Sequence, residues 1–273
     1  MRHLLSKERW ILILRLGTTA VFLLPLFWML LTALHPPGTP LPQSLNLWPN
    51  TPTLNNFIRI WQIIPIGRFT LNSLLVSTIA IPLTLLISSW AGFSIAHLPP
   101  TSQRRWVLLS LALLMIPGIA LWFTRFLLYR QLHWLNTYWA LIVPAWMGTT
   151  PFYVLMFYRA FRRIPSAIYD AARLETSHAF QIWAYIAFPL ARPTALGVSL
   201  LSLTFYWGDF LSPLLYLRTE SLYTLPIAIQ LLQQMAPSDW PLLMATAVYT
   251  SLIPVTLFLL TQPHFAHLNR RNP

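Results

Sequence analysis

The sequence holds no cysteine, a single lysine (Lys7), eight glycines and six acidic residues in 273 positions. Without cysteine there is no disulfide, no thiolate nucleophile and no Cys-based zinc or iron–sulfur site. The glycines are scattered, with no pair at G-x-G spacing and no GxxxxGK[ST] run. A phosphate-cradling loop and a dinucleotide fingerprint are therefore excluded, so any nucleotide energy must be supplied by another chain. HExxH is absent, and His264 with His267 is too small a set for a metal site. GxSxG is absent too, which removes the usual serine-hydrolase signature.

Charge is also scarce. Only 9% of residues are charged and 56% are hydrophobic, with a mean hydropathy of +0.58. A soluble domain typically carries about 25% charged residues, so lipid is the expected solvent. The net charge of +12 does not point to nucleic acid, because the arginines punctuate apolar runs and form no basic face.

What is present is a set of long apolar runs. Crossing the hydrocarbon core takes roughly 20 mostly apolar residues. Six stretches qualify: Ile11–Leu34, Asn72–His97, Trp106–Leu128, Tyr138–Phe157, Thr194–Leu217 and Pro241–Leu260. In lipid these must be helical, since each backbone polar group needs an internal partner. Pro25, Pro82, Pro117, Pro144, Pro213 and Pro254 fall inside them and predict kinks or short breaks. The first stretch reads as a retained anchor: its apolar core is too long for a cleaved signal and no small-x-small site follows. The expected fold is an all-α integral membrane protein with six transmembrane helices in a single domain, 1–273.

Cations set the orientation. With the N-terminus inside, the inner segments hold Arg2, Lys7, Arg9, Arg15, Arg104, Arg105, Arg159, Arg162, Arg163, Arg173, Arg192, Arg270 and Arg271. The outer ones hold only Arg59, Arg68, Arg125, Arg130 and Arg218. Both termini are thus expected on the cytoplasmic side. The largest outer loop is Pro-rich, from Pro36 to Pro52, and a short helix is expected near Leu54–Ile64.

One polar segment breaks the pattern, "YDAARLETSHAFQIWAYIAFPLARP" at 169–193. Ser166 follows Pro165 and can cap a helix starting at Ala167. Ile168, Ala171, Ala172 and Glu175 then share a face. The two alanines make a small-residue patch that another surface can approach closely. Thr176-Ser177 interrupts this helix, and Phe180 to Phe188 forms a second one ending at Pro189. The residues allow two readings of this helix–turn–helix, a solvated loop or a docking element for a cytoplasmic partner.

The segment resembles the EAA loop of binding-protein-dependent ABC importer permeases, E-A-A-x-x-D-G-A followed by I-x-x-P-L-x-x-P. Asp170-Ala171-Ala172 stands for E-A-A, Glu175 for the family's aspartate, and Ile186, Pro189, Leu190 and Pro193 match directly. "NSL" at 72–74, "WGDFLSPL" at 207–214 and "TLPIAI" at 224–229 fit as well, so the likeness runs from Leu54 to His267. It is to the carbohydrate-uptake class, the maltose-type second permease subunit in particular. Thr176 departs from the family's glycine, where a β-branched residue in a left-handed turn costs roughly 1–2 kcal/mol. The ending "QPHFAHLNRRNP" lacks the family's glycine-rich tail.

The resemblance implies a transport subunit of a bacterial or archaeal plasma membrane, not an enzyme. It implies a coupling loop at about 165–189, between the fourth and fifth transmembrane helices. There Asp170, Ala171, Ala172, Glu175, Thr176 and Ser177 face a cytoplasmic ATPase. It implies three partners besides lipid and no nucleic acid: a second permease, an ATPase dimer that binds ATP and Mg, and an extracytoplasmic binding protein. No cofactor is expected in this chain. A sugar or oligosaccharide is the implied cargo.

Asp209 is the only acid well inside a stretch, and an ionised group at that depth costs ~2.5–3.5 kcal/mol on insertion scales. It either lines the path and accepts sugar hydroxyls, or pairs with an arginine or braces the kink at Pro213. Trp207 and Trp146 either stack on a sugar ring or pack; Trp122 is equally deep. Arg125 near the outer end of its stretch can snorkel. The alternatives to an importer subunit are a stand-alone secondary transporter, which Asp209 alone supports thinly, an intramembrane enzyme, for which no nucleophile–base set is visible, and a membrane scaffold.

Overall fold

The structure is a computed structural model and describes residues 2–40, 48–175 and 178–269. Among these, all regular structure is helical. In chain order the α-helices are α1 (Arg2–Ala33), α2 (Asn55–Ile63), α3 (Ile66–Ala96), α4 (Pro100–Leu114), α5 (Ala120–Gln131), α6 (Trp139–Ile142) and α7 (Pro151–Arg162). They continue as α8 (Ser166–Glu175), α9 (Ala179–Ile182), α10 (Phe188–Leu190), α11 (Arg192–Trp207), α12 (Leu211–Tyr216), α13 (Ile227–Met235) and α14 (Trp240–Asn269). A 3₁₀ turn at Val143–Met147 extends α6, and a π turn at Trp183–Ala187 joins α9 to α10.

Among the described residues four helical stretches are long and apolar enough to cross a membrane: Trp10–Ala33, Ile66–Ala96, Trp139–Arg162 and Trp240–Gln262. A fifth is obtained if Ala179–Leu190 and Arg192–Trp207, which meet at 82°, count as one. The stretch expected as one helix over Trp106–Leu128 is two, α4 and α5, parted at 115–119. Pro117 and Gly118 lie in that gap; the first removes an amide donor and the second is a poor helix former. Hydroxyls within these helices mostly turn back on their own backbone. Thr18, Thr78, Ser94, Ser199, Thr204 and Thr261 each donate to the carbonyl four residues earlier. That satisfies a polar group where water is missing.

The chain divides into two compact units, Met1–Gly67 with Pro226–Val255 and Arg68–Leu225 with Thr256–Pro273. In the first, Asn56 ties α2 to the end of α1: its Nδ2 donates to the carbonyls of Ala33 and His35 at 2.8 and 2.7 Å. These are orphan carbonyls of the helix terminus. Arg59 Nη1 pairs with Asp239 Oδ2 at 2.8 Å, while Asp239 Oδ1 accepts the Leu242 N–H at the start of α14. Trp61 meets Tyr249 edge-on, and its ring covers Gly67 closely.

In the second unit, glycine decides one close approach. A Cβ at Gly92 of α3 would lie 2.7 Å from Phe157 Cβ and from the Tyr158 nitrogen of α7. Around this crossing Phe93, Phe157, Phe161, Trp183 and Val198 form one buried cluster. Another gathers Val76, Tyr129, Leu141, Tyr206 and Tyr216. The "NSL" residues pin the segment after α12. Asn72 Nδ2 donates to the Ser221 and Tyr223 carbonyls at 2.9 and 2.8 Å, and the Leu225 N–H donates to Ser73 Oγ at 2.8 Å. Asn136, left-handed at φ 58°, holds the same segment by accepting from the Arg218 and Thr219 N–H groups.

Candidate functional site

The segment singled out by its polarity folds as helix α8 followed by α9 and α10. Tyr169 locks α8 to the rest of the second unit. Its ring meets His97 edge-on at 4.5 Å and lies 6.3 Å from Phe93. Its hydroxyl donates to the Phe161 carbonyl at 3.3 Å. Burial pushes that hydroxyl up to about 12, so it stays protonated and keeps the bond throughout the physiological range. Through this one ring, α8 contacts both α3 and α7.

The sequence pattern puts Ala171 and Ala172 side by side on a patch open to a partner. The structure separates them. Ala172 is 4% exposed and belongs to the buried cluster with Tyr169, because residues three apart share a helix face. Ala171 is exposed, together with Asp170, Arg173 and Glu175. Asp170 Oδ1 accepts from Arg173 Nη1 at 3.2 Å, an exposed i,i+3 pair of small energetic consequence. Thr176 and Ser177 lie outside the described residues. The outward face holds one side chain that the sequence pattern did not single out: Leu174 is 90% exposed. Ala167, Ala171 and Leu174 recur at i, i+4 and i+7, and all three are exposed. That spacing was the available signal, hidden because the E-A-A likeness drew attention to adjacent alanines.

The residues expected along a path do not come together as a set. Trp207 is 3% exposed and packed inside, and Trp146 is 58% exposed; neither lines a cavity with Asp209. Asp209 does border a cavity of about 460 Å3, in company with Trp122, Arg125, Thr149, Thr150 and Phe205. Its Oδ1 accepts the Ser212 N–H in the first turn of α12 at 3.1 Å. The carboxylate thus holds the chain just before Pro213 and borders the cavity as well. Arg125 faces that same space. Among the described residues the only ion pairs are Arg59–Asp239 and Arg173–Asp170, so Arg125 and Asp209 do not bridge.

Thr149 sits at the cavity wall in a left-handed conformation, φ 63°, directly after left-handed Gly148. Its Oγ1 lies 2.6 Å from Thr84 Oγ1 and 2.7 Å from the Tyr206 hydroxyl. The next residue, Thr150, caps α7 and is followed by Pro151, the residue best tolerated at a first helical position. Among the described residues no group of three His, Asp or Glu side chains gathers to hold a metal.

No family model matches the chain. It is 33% identical over 220 residues to the arabinooligosaccharides transport system permease of Halalkalibacterium halodurans, spanning 80% of this chain and 77% of that protein. The chain belongs to the ABC importer permeases of the carbohydrate-uptake class. The sulfoquinovosyl glycerol transport system permease of Agrobacterium fabrum is 28% identical over 237 residues, 87% of this permease and 83% of that one. The trehalose/maltose transport system permease of Thermococcus litoralis is 25% identical over 269 residues, 97% and 95% of the two chains. The fold is that of a chain in the crystal structure of a bacterial ABC transporter involved in the import of the acidic polysaccharide alginate. The TM-score is 0.73 at 15% identity, with 95% and 97% of the two chains covered. A chain of the alginate transporter in complex with an alginate pentasaccharide-bound periplasmic protein aligns with a TM-score of 0.62.

Proposed function

We propose that this permease is one of two membrane subunits of an ATP-driven importer for a sugar or oligosaccharide. It forms half of the translocation path and couples to a separate cytoplasmic ATPase dimer, which binds the ATP and Mg. An extracytoplasmic binding protein delivers the cargo. The location is a bacterial or archaeal plasma membrane, with both termini cytoplasmic and six crossings. Three of these crossings are interrupted: α4 with α5, α6 with α7, and α11 with α12. The whole chain acts as one permease domain.

One observation carries the coupling assignment. Helix α8 presents Asp170, Ala171, Leu174 and Glu175 outward while Tyr169 and Ala172 anchor it inward. A partner that moves α8 therefore pulls on α3 through His97 and on α7 through Phe161. The outward face supplies the grip, and the buried tyrosine transmits the pull. The sequence has no phosphate loop of its own, in keeping with an ATPase on another chain.

Reconstitution tests this reading. Uphill sugar uptake into proteoliposomes should require the second permease and the ATPase, and this chain alone should hydrolyse no ATP. Uptake driven by this chain alone under an ion gradient would replace the importer with a secondary transporter. Orientation is checked separately, because the chain has no native cysteine. In intact cells an impermeant thiol reagent should label Ser221→Cys and should miss Arg104→Cys and Arg162→Cys. Labelling at 104 or 162 from outside defeats the six-crossing arrangement.

A further inference from the structure

Three helix interruptions meet at one place in the second unit. The gaps at 115–119, 148–150 and 208–210 each contribute to the wall of the 460 Å3 cavity. An interrupted helix at membrane depth leaves amides and carbonyls without intrahelical partners. Such backbone is tolerated only where protein buries it or where it lines a water-filled space. Turn bonds satisfy part of this backbone, as from the Met115, Thr149 and Gly208 N–H groups to the Ala112, Pro144 and Thr204 carbonyls, and each gap also borders the cavity.

Much of this wall is apolar, with Leu113, Leu114, Ile116, Ile119 and Phe205 among its side chains, and a few polar groups are set into it. Arg125 brings guanidinium donors, Thr149 and Thr150 bring hydroxyls, and Asp209 brings a carboxylate. Trp122 adds an indole. Thr149 is held firmly, since its Oγ1 is bonded to both Thr84 and Tyr206. A hydroxyl makes up to three hydrogen bonds, so one capacity is left for a ligand. A β-branched residue at positive φ is strained and persists only where its surroundings enforce it. The cavity's size is within the roughly 300–1,000 Å3 usual for small-molecule sites.

We infer that this cavity is a sugar-ring subsite within this subunit. The Trp122 indole covers an apolar ring face, and Arg125, Thr149, Thr150 and Asp209 exchange hydrogen bonds with ring hydroxyls. A lipid acyl chain would leave the Arg125 guanidinium and the remaining acceptor capacity of Asp209 facing hydrocarbon, which is the costly outcome in a dry site. The inference rests on the reading of the chain as a sugar importer subunit and adds where in this subunit the sugar is held.

The test uses the complete transporter in proteoliposomes, with cysteine-free partner subunits and a panel of maltose, trehalose, arabinotriose and sulfoquinovosyl glycerol. Thr150→Cys should react with a small water-soluble methanethiosulfonate. A panel sugar that stimulates ATP hydrolysis should slow this reaction about tenfold at ten times its dissociation constant. Ser221→Cys, away from the cavity, should react at one rate with or without sugar. In parallel, Trp122→Ala should raise the KM for uptake about tenfold, and Trp122→Phe should restore most of it, since a ring face is what the sugar contacts. If no panel sugar stimulates hydrolysis, the sugar-importer reading falls and takes the subsite with it. If a sugar stimulates hydrolysis but Thr150→Cys is unreactive or unprotected, the subsite alone is refuted and the importer assignment stands. Equal KM values for Trp122→Ala and wild type refute the stacking role.

Discussion

Leu174 offers the sharpest check on the proposed docking of a cytoplasmic ATPase against α8. It is 90% exposed on α8, so almost its whole side chain is available for a partner to cover. Covering a leucine completely stabilises by about 1.5–3 kcal/mol. Leu174→Ala retains only the Cβ, and should therefore lose about 1.5–2 kcal/mol of association free energy. That corresponds to roughly ten- to thirtyfold weaker binding. The permease itself should be unaffected, because surface substitutions usually change stability by no more than about 0.5 kcal/mol. Leu174→Glu should weaken association further by burying an unpaired charge. The assay is equilibrium binding of the purified ATPase to the permease pair in nanodiscs, with thermal unfolding of the free permease as a control. Unchanged affinity for both variants, with normal insertion, would show that the outward face of α8 is merely solvated. Reduced affinity accompanied by a lower Tm of the free permease would show instead that Leu174 supports the fold.

Two further substitutions test the packing. Gly92→Ala places a Cβ 2.7–2.8 Å from backbone and side-chain atoms of α7, including the Val154 carbonyl, so the two helices must part. Overpacking of this kind costs about 1–3 kcal/mol, and the Tm in detergent should fall accordingly; an unchanged Tm would mean that α3 and α7 are not in close contact. Arg59→Ala removes the ion-pair partner of Asp239, which is nearly buried. A hydrogen bond to a charged group contributes roughly 1.5–3 kcal/mol, so amide exchange across Asn55–Ile63 should speed up; unaltered exchange there would show that Asn56 alone secures α2.

Composition and hydrophobic run length determined a great deal about this chain without any structure. The membrane assignment follows from 9% charge and from runs too long and apolar for a water-soluble core. Most helix limits agree to within a few residues. Ile11–Leu34 is seen as Trp10–Ala33, Pro241–Leu260 as Trp240–Gln262, and the short outer helix expected near Leu54–Ile64 as α2. These features are local, set by the partition of each residue between lipid and water and by the demand for internal hydrogen bonds. The motif at 169–193 was legible too, because its residue types and spacing stand out from an apolar background.

Tertiary structure decided what depends on which residues meet. A proline inside an apolar run says that a helix will kink or break, not how far the two pieces part; at Pro117 and Gly118 the stretch Trp106–Leu128 becomes two separate helices. Adjacent alanines do not reveal which of them packs inward; Tyr169, seated between Phe93, His97 and Phe161, turned Ala172 to the core and left Ala171 and Leu174 outside. Depth along a helix likewise says nothing of azimuth. Trp207, Trp146 and Trp122 are indistinguishable as deep indoles in the sequence, yet only Trp122 faces the cavity with Asp209. The interruptions that shape that cavity lie about 30 and 60 residues apart in the chain. No local pattern encodes their meeting, which exists only once the helices have packed and excluded the alternatives.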